Sequence, residues 1–124
     1  MIGIGTDIEK IERFEDLEPQ KDYIFLNKIF TRLELEYCYS KLDPKKHLAA
    51  RFAGKEAVLK ALYSCGITDV QFNDIEILNN NQGVPCANIT LYNSLLRIHI
   101  SLSHTDDFAL AFCIVTGDIL YEKD

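Results

Sequence analysis

The stretch from Asp43 to Ser64 constrains this chain more than any other. Asp43-Pro44 opens it as a helix start, with Asp43 as N-cap and Pro44 in the first turn. Gly66 closes it, so the helix runs to Tyr63 or Ser64 and is the longest element in the sequence. At about 100° per residue, Leu48, Phe52, Leu59 and Tyr63 fall within about 60° of one another. Ala49, Ala50, Ala53, Gly54, Ala57 and Ala61 fill a wide neighbouring arc. A face of large residues beside a face of small ones implies burial on more than one side. Small residues also let another backbone come close. The rest of the fold must wrap this helix.

Before it, the sequence predicts a short strand over Ile2–Ile8 with Asp7 at its end, and a helix over Glu9–Leu17 carried by Ile11, Phe14 and Leu17 and stopped by Pro19. A helix over Asp22–Phe30 follows. Thr31 and Glu34 form a capping box for another over Arg32–Tyr39. After the long helix the periodicity changes. Phe72–Leu78 reads as a strand, Asn79–Gly83 as a turn, and Val84–Leu91 as the returning arm of a hairpin. Leu95–Leu102 alternates Ile98, Ile100 and Leu102 against Arg97, His99 and Ser101, although residues 92–96 also suit a short helix. Phe108–Val115 is a last strand, too apolar to be solvated on one face. The expected fold is α+β: an antiparallel sheet packed on a long central helix, in one domain spanning residues 1–124.

The chain carries a net charge of -6, which argues against nucleic acid as its main partner. The charge is uneven. From Lys41 to Tyr63, six basic residues (Lys41, Lys45, Lys46, Arg51, Lys55, Lys60) face two acids (Asp43, Glu56), a net +4 that leaves -10 for the remainder. That pattern suits either a compact anionic ligand or a solvated helix face. No apolar run approaches the roughly 20 residues needed to cross a bilayer, so no membrane role is expected. The N-terminus lacks the basic start and apolar stretch of a signal peptide, and a cytoplasmic protein is expected. Cys38, Cys65, Cys86 and Cys113 form no C-x-x-C pair and are expected to be reduced and structural, without zinc.

Three places can carry chemistry. Glu56 projects where the two helix faces join, with Lys60 one turn later. An acid within an apolar arc is costly unless compensated. Either a Glu56–Lys60 helix pair or a magnesium ion would compensate it. Asp7 ends an apolar strand, as a site carboxylate or as the N-cap of the next helix. Ser103-His104-Thr105 ends the Leu95–Leu102 strand, offering hydroxyl and imidazole donors to phosphate or simply capping a turn before Asp106-Asp107. No G-x-S-x-G elbow supports a hydrolase triad there.

Gly3-Ile4-Gly5-Thr6-Asp7-Ile8 resembles the N-terminal motif of the holo-acyl-carrier-protein synthases. Arg51-Phe52-Ala53-Gly54-Lys55-Glu56-Ala57-Val58-Leu59-Lys60-Ala61 resembles their long R-F-A-x-K-E-A-x-x-K-A signature. Phe30–Leu35, Asp74–Ile77 through Gly83-Val84-Pro85, and Ser101–Thr105 resemble further family segments in the same order. The resemblance implies transfer of 4'-phosphopantetheine from coenzyme A to a serine of an acyl carrier protein, by a homotrimer with active sites between subunits. It implies magnesium held by Asp7 and Glu56. It implies that Lys60, Arg51 and His104, with Ser103 and Thr105, lie at the phosphates or nearby parts of coenzyme A, and that Gly83 and Pro85 lie near its adenine end. Glu56 is the expected base for the serine proton. Two positions depart from the family pattern. Val84 stands where a basic residue is common, and the first helix sets Glu9, Glu12, Glu15, Asp16 and Glu18 against Lys10 and Arg13. A coenzyme A or carrier-protein binder without catalysis is the alternative reading of the same fold.

Overall fold

A computed structural model describes residues 1–92 and 95–118. The long helix, α3, spans Pro44–Ser64, and both of its faces are covered. Strand β1 (Ile2–Lys10) crosses it so closely that a Cβ at Gly5 would overlap the Ala57 carbonyl oxygen, and one at Gly3 that of Ala61. The small-residue arc therefore receives a strand of its own chain, and the glycines of β1 are what let the two backbones meet.

Strand β1 pairs antiparallel with β5 (Phe108–Gly117), which pairs with β4 (Leu96–His104), giving the order β1-β5-β4. Asp7 stands opposite Ala111, and His104 opposite Ala109. Strands β2 (Ile75–Asn79) and β3 (Pro85–Ile89) form a separate antiparallel hairpin. Its turn holds Gly83 at φ 79°, a conformation that favours glycine. Ile77, Ala87 and Ile89 of the hairpin share a core with Ala57, Val58 and Leu62 of α3 and with Ala111, Cys113 and Val115 of β5. Helix α1 (Tyr23–Ile29) and α2 (Arg32–Tyr39) close the other end over Leu48 and Ala49.

Helix α2 starts as expected: Thr31 Oγ1 accepts the Glu34 N–H at 3.3 Å, and Glu34 Oε1 accepts the Thr31 N–H at 2.8 Å. Glu34 does more than cap. It is fully buried, accepts the Ile77 N–H at 2.7 Å and ion-pairs with buried Lys55 at 2.7 Å. Lys55 also donates to the carbonyls of Phe72 (2.9 Å) and Ile75. This pair ties α2, α3 and the hairpin together.

Several expectations are corrected. The helix over Glu9–Leu17 does not form. Strand β1 runs on to Lys10, and a single 3-10 turn (Ile11–Phe14) follows, so Asp7 lies within the strand and caps no helix. Asp43 makes no side-chain cap to α3 and ion-pairs with Lys45 (3.3 Å) and Lys46 (3.9 Å) instead. Phe72–Asp74 is a 3-10 turn before β2. Of residues 92–96, residues 93 and 94 lie outside the described residues, and a 3-10 turn (Thr90–Tyr92) precedes them. The outer face of β5 is exposed within the chain: Phe108, Leu110 and Phe112 retain 40–44% of their accessible surface, beside Ile2, Ile4 and Ile8 of β1 at 59–71%.

Candidate active site

Along β1, Gly3, Gly5, Asp7 and Glu9 share the face turned to α3. The glycines occupy the close crossing. Past it the strand has room for side chains, and the first two are acids. Asp7 is met by Lys60, whose Nζ lies 3.3 Å from Asp7 Oδ1 and 3.0 Å from the Thr6 carbonyl oxygen. The expected Glu56–Lys60 helix pair is thus replaced, among the described residues, by a Lys60–Asp7 pair. Glu56 feels the Lys60 charge without that close contact. Burial and the Asp7 charge push the Glu56 carboxyl up from its ordinary value, with Lys60 opposing. Asp7 Oδ2 is buried and has no hydrogen-bond partner.

Glu9 was not among the expected site residues. It is 8% exposed, and burial, followed by the adjoining Asp7 carboxylate, pushes its carboxyl up to about 7, against the lowering effect of its ion-pair partner Arg13. The i, i+2 spacing from Asp7 is its signal in the sequence, and the helical spacing of Ile11, Phe14 and Leu17 competes with it. Asp7, Glu9 and Glu56 meet two cations, Lys60 at Asp7 and Arg13 at Glu9, so this junction of β1 and α3 is one positive charge short. Among the described residues no three His, Cys, Asp or Glu side chains are arranged to hold a metal ion by themselves. Magnesium binds through one or two carboxylates and keeps waters and phosphate oxygens as its other ligands. The unpartnered Asp7 Oδ2 beside a carboxyl of raised pKa fits such an ion.

The other expected phosphate residues lie elsewhere. His47 and Glu56 are nine positions apart on α3, hence about 180° apart around its axis and about 13 Å along it. On the far side, Arg51 is 3% exposed, stacks with its Cζ 4.3 Å from the Tyr37 ring centroid, donates from Nε to the Ile77 carbonyl at 3.2 Å, and leaves Nη2 unpartnered. Lys41 Nζ lies 4.6 Å from the same ring, and His47 meets it edge-on at 5.5 Å. His104, at the end of β4, is near enough for its charge to act on His47. Arg51 and Lys55 are both buried, so the expected cationic helix surface is smaller than the sequence suggested. Tyr37 Oη accepts from Asn79 Nδ2 at 2.9 Å, which brings Asn79, its strand partner Pro85 and the turn holding Gly83 toward this cluster. Thr105 Oγ1 accepts the N–H groups of Asp107 (3.2 Å) and Phe108 (3.0 Å), a turn cap. Ser103 is exposed on β4.

This fold is that of a group-transfer enzyme family. Residues 3–113 match the 4'-phosphopantetheinyl transferase superfamily, and the chain belongs to it. The chain is 43% identical over 115 residues to the holo-[acyl-carrier-protein] synthase of Thermodesulfovibrio yellowstonii, covering 92% of this chain and 97% of that one. It is 42% identical over 120 residues to that of Chlamydia muridarum, covering 92% and 94%. Among solved structures, the Helicobacter pylori holo-[acyl-carrier-protein] synthase in complex with coenzyme A superposes with TM-score 0.73 at 31% identity, covering 94% of this chain and 100% of that one.

Proposed function

We infer that this chain transfers 4'-phosphopantetheine from coenzyme A to a serine of an apo-acyl carrier protein, releasing adenosine 3',5'-bisphosphate. Family membership supports the reaction. The observation that carries the site assignment is the Asp7–Lys60 pair beside Glu56, with Asp7 Oδ2 left open. Asp7 and Glu56 would hold magnesium. When bound, the ion supplies charge neutralisation at the diphosphate of coenzyme A. Lys60 holds Asp7 in place and adds positive charge where the leaving phosphate gains negative charge. Glu56 accepts the serine proton. The serine oxygen bonds to the β-phosphorus of coenzyme A as the bond from that phosphorus to the bridging oxygen breaks.

The cationic cluster would take the adenosine phosphates, with Gly83 and Pro85 at the adenine side. Glu56 and His47 face opposite sides of α3, so one coenzyme A cannot readily span both within a chain. We propose that acids from one copy and cations from another complete each site, in a homotrimer closed over the apolar outer face of β1 and β5. A cytoplasmic location suits four cysteines without disulfides, and no described helix is long and apolar enough to cross a membrane. Incubating the purified protein with magnesium, coenzyme A and apo-carrier protein tests the reading. The carrier should gain the mass of one phosphopantetheine, and no gain would refute it.

A further inference from the structure

The cluster around Tyr37 holds more positive charge than its surroundings balance. Arg51 is buried with an unpartnered Nη2, and Lys41 packs on the same ring. The acid whose charge reaches His47 is Asp43, which is already engaged by Lys45 and Lys46. A buried guanidinium without a carboxylate partner is costly, and an anion beside it would offset the cost. His47 is half-buried at the edge of this set. Three cationic or titratable groups converge on it: Arg51 from its own helix, Lys41 from the α2–α3 connection, and His104 from β4. Its ring is fixed edge-on against Tyr37 at an interplanar angle of 82°.

Resting on the coenzyme A reading, we propose that His47 belongs to the phosphate-binding surface and takes up a proton when a phosphate group docks among His47, Lys41 and His104. Without ligand, burial first and then the Arg51, Lys41 and His104 charges hold the imidazole below its usual pKa, so it is neutral near pH 7. A phosphomonoester brings between one and two negative charges at that pH and reverses the sign of the local field. The imidazolium then becomes the favoured form, donating a charge-assisted hydrogen bond. Binding of a phosphate-terminated nucleotide becomes linked to proton uptake, through a residue that plays no part in the acid cluster across the helix.

The test uses adenosine 3',5'-bisphosphate as probe. Proton NMR of the three imidazoles, assigned from His99→Gln and His104→Gln spectra, gives the His47 pKa free and saturated. Calorimetry at pH 6, 7 and 8 in two buffers of different ionisation enthalpy gives the protons taken up by wild type and by His47→Phe, which keeps a ring against Tyr37. We expect the His47 pKa to rise by about one pH unit or more on saturation. His47→Phe should lose most of the proton uptake, with its affinity deficit several-fold larger at pH 6 than at pH 8. An unchanged His47 pKa, or undiminished uptake in His47→Phe, overturns the proposal while leaving the coenzyme A reading intact. Failure of wild type to bind the bisphosphate at any pH overturns both.

Discussion

Lys60 reaches from α3 to β1, placing its Nζ 3.3 Å from Asp7 Oδ1, while Asp7 Oδ2 stays buried without a partner. Lys60, with Arg13 at Glu9, leaves one of the three acids gathered here unbalanced. Asp7 raises the proton affinity of both Glu9 and Glu56, so the junction favours either protons or a further cation. At neutral pH a divalent ion is the better match, because it satisfies the open oxygen as well as the charge.

If Glu56 both holds the ion and takes the serine proton, Glu56→Gln should cut turnover by about 10²-fold or more. The folded state should persist, because the change removes a desolvated charge. Turnover measured by carrier mass, together with a thermal melt, checks this; an active Gln variant would remove the assignment.

Glu9 gives a pH signature. Its carboxyl sits at about 7 in the folded protein against an ordinary 4.5. Between those values the folded state binds more protons than the unfolded one, so stability falls as pH rises through the window, and the full penalty is present above pH 7. Glu9→Gln should therefore raise the Tm of the metal-free protein by about 3 °C or more at pH 8. The gain should fade toward pH 4.5. Melts across that range would show it, and a gain that grows toward acid pH would contradict it.

The Glu34–Lys55 pair is wholly buried, and removing one partner strands the other. Lys55→Ala should cost about 3–5 kcal/mol. Combining Lys55→Met with Glu34→Gln should cost less than that single change. Urea unfolding of the three proteins tests the ordering.

If each site draws on two copies, Glu56→Gln and His104→Ala should each be nearly inactive alone, yet co-assembled they should recover activity. Random mixing leaves about a quarter of two-subunit sites intact. No recovery in verified mixed assemblies would place both halves of the site in one chain.

Some local signals specify their elements outright, while others, such as Asp43 as a cap or the Ile11, Phe14 and Leu17 spacing, are overridden by ion pairing or by the sheet. Thr31 and Glu34 lie three residues apart and specify the start of α2 by themselves; Pro44 and Gly66 bracket α3 in the same way. Strand β1 misled because its pattern is inverted. Its apolar residues Ile2, Ile4 and Ile8 point outward, while the inner face carries glycines and acids, since α3 passes too close for larger side chains. An inner face of Gly, Gly, Asp and Glu gives no hydrophobic period to mark Glu9 as part of the strand. Lys55 looked like a surface cation because its partners, Glu34 and two carbonyls of the Phe72–Ile75 segment, are distant in sequence. Lys60 contacts Asp7, and both charges act on Glu56, whereas Arg51 and His104 lie across the helix from them.

Divalent-ion affinity measured by calorimetry in the presence of adenosine 3',5'-bisphosphate, for wild type, Asp7→Asn and Glu56→Gln, probes the shared ion directly. The account predicts saturable binding to wild type and at least about a tenfold loss in each variant, the 10–100-fold scale seen for perturbed metal sites. Wild-type affinity in either variant would mean that the two carboxylates do not hold one ion between them.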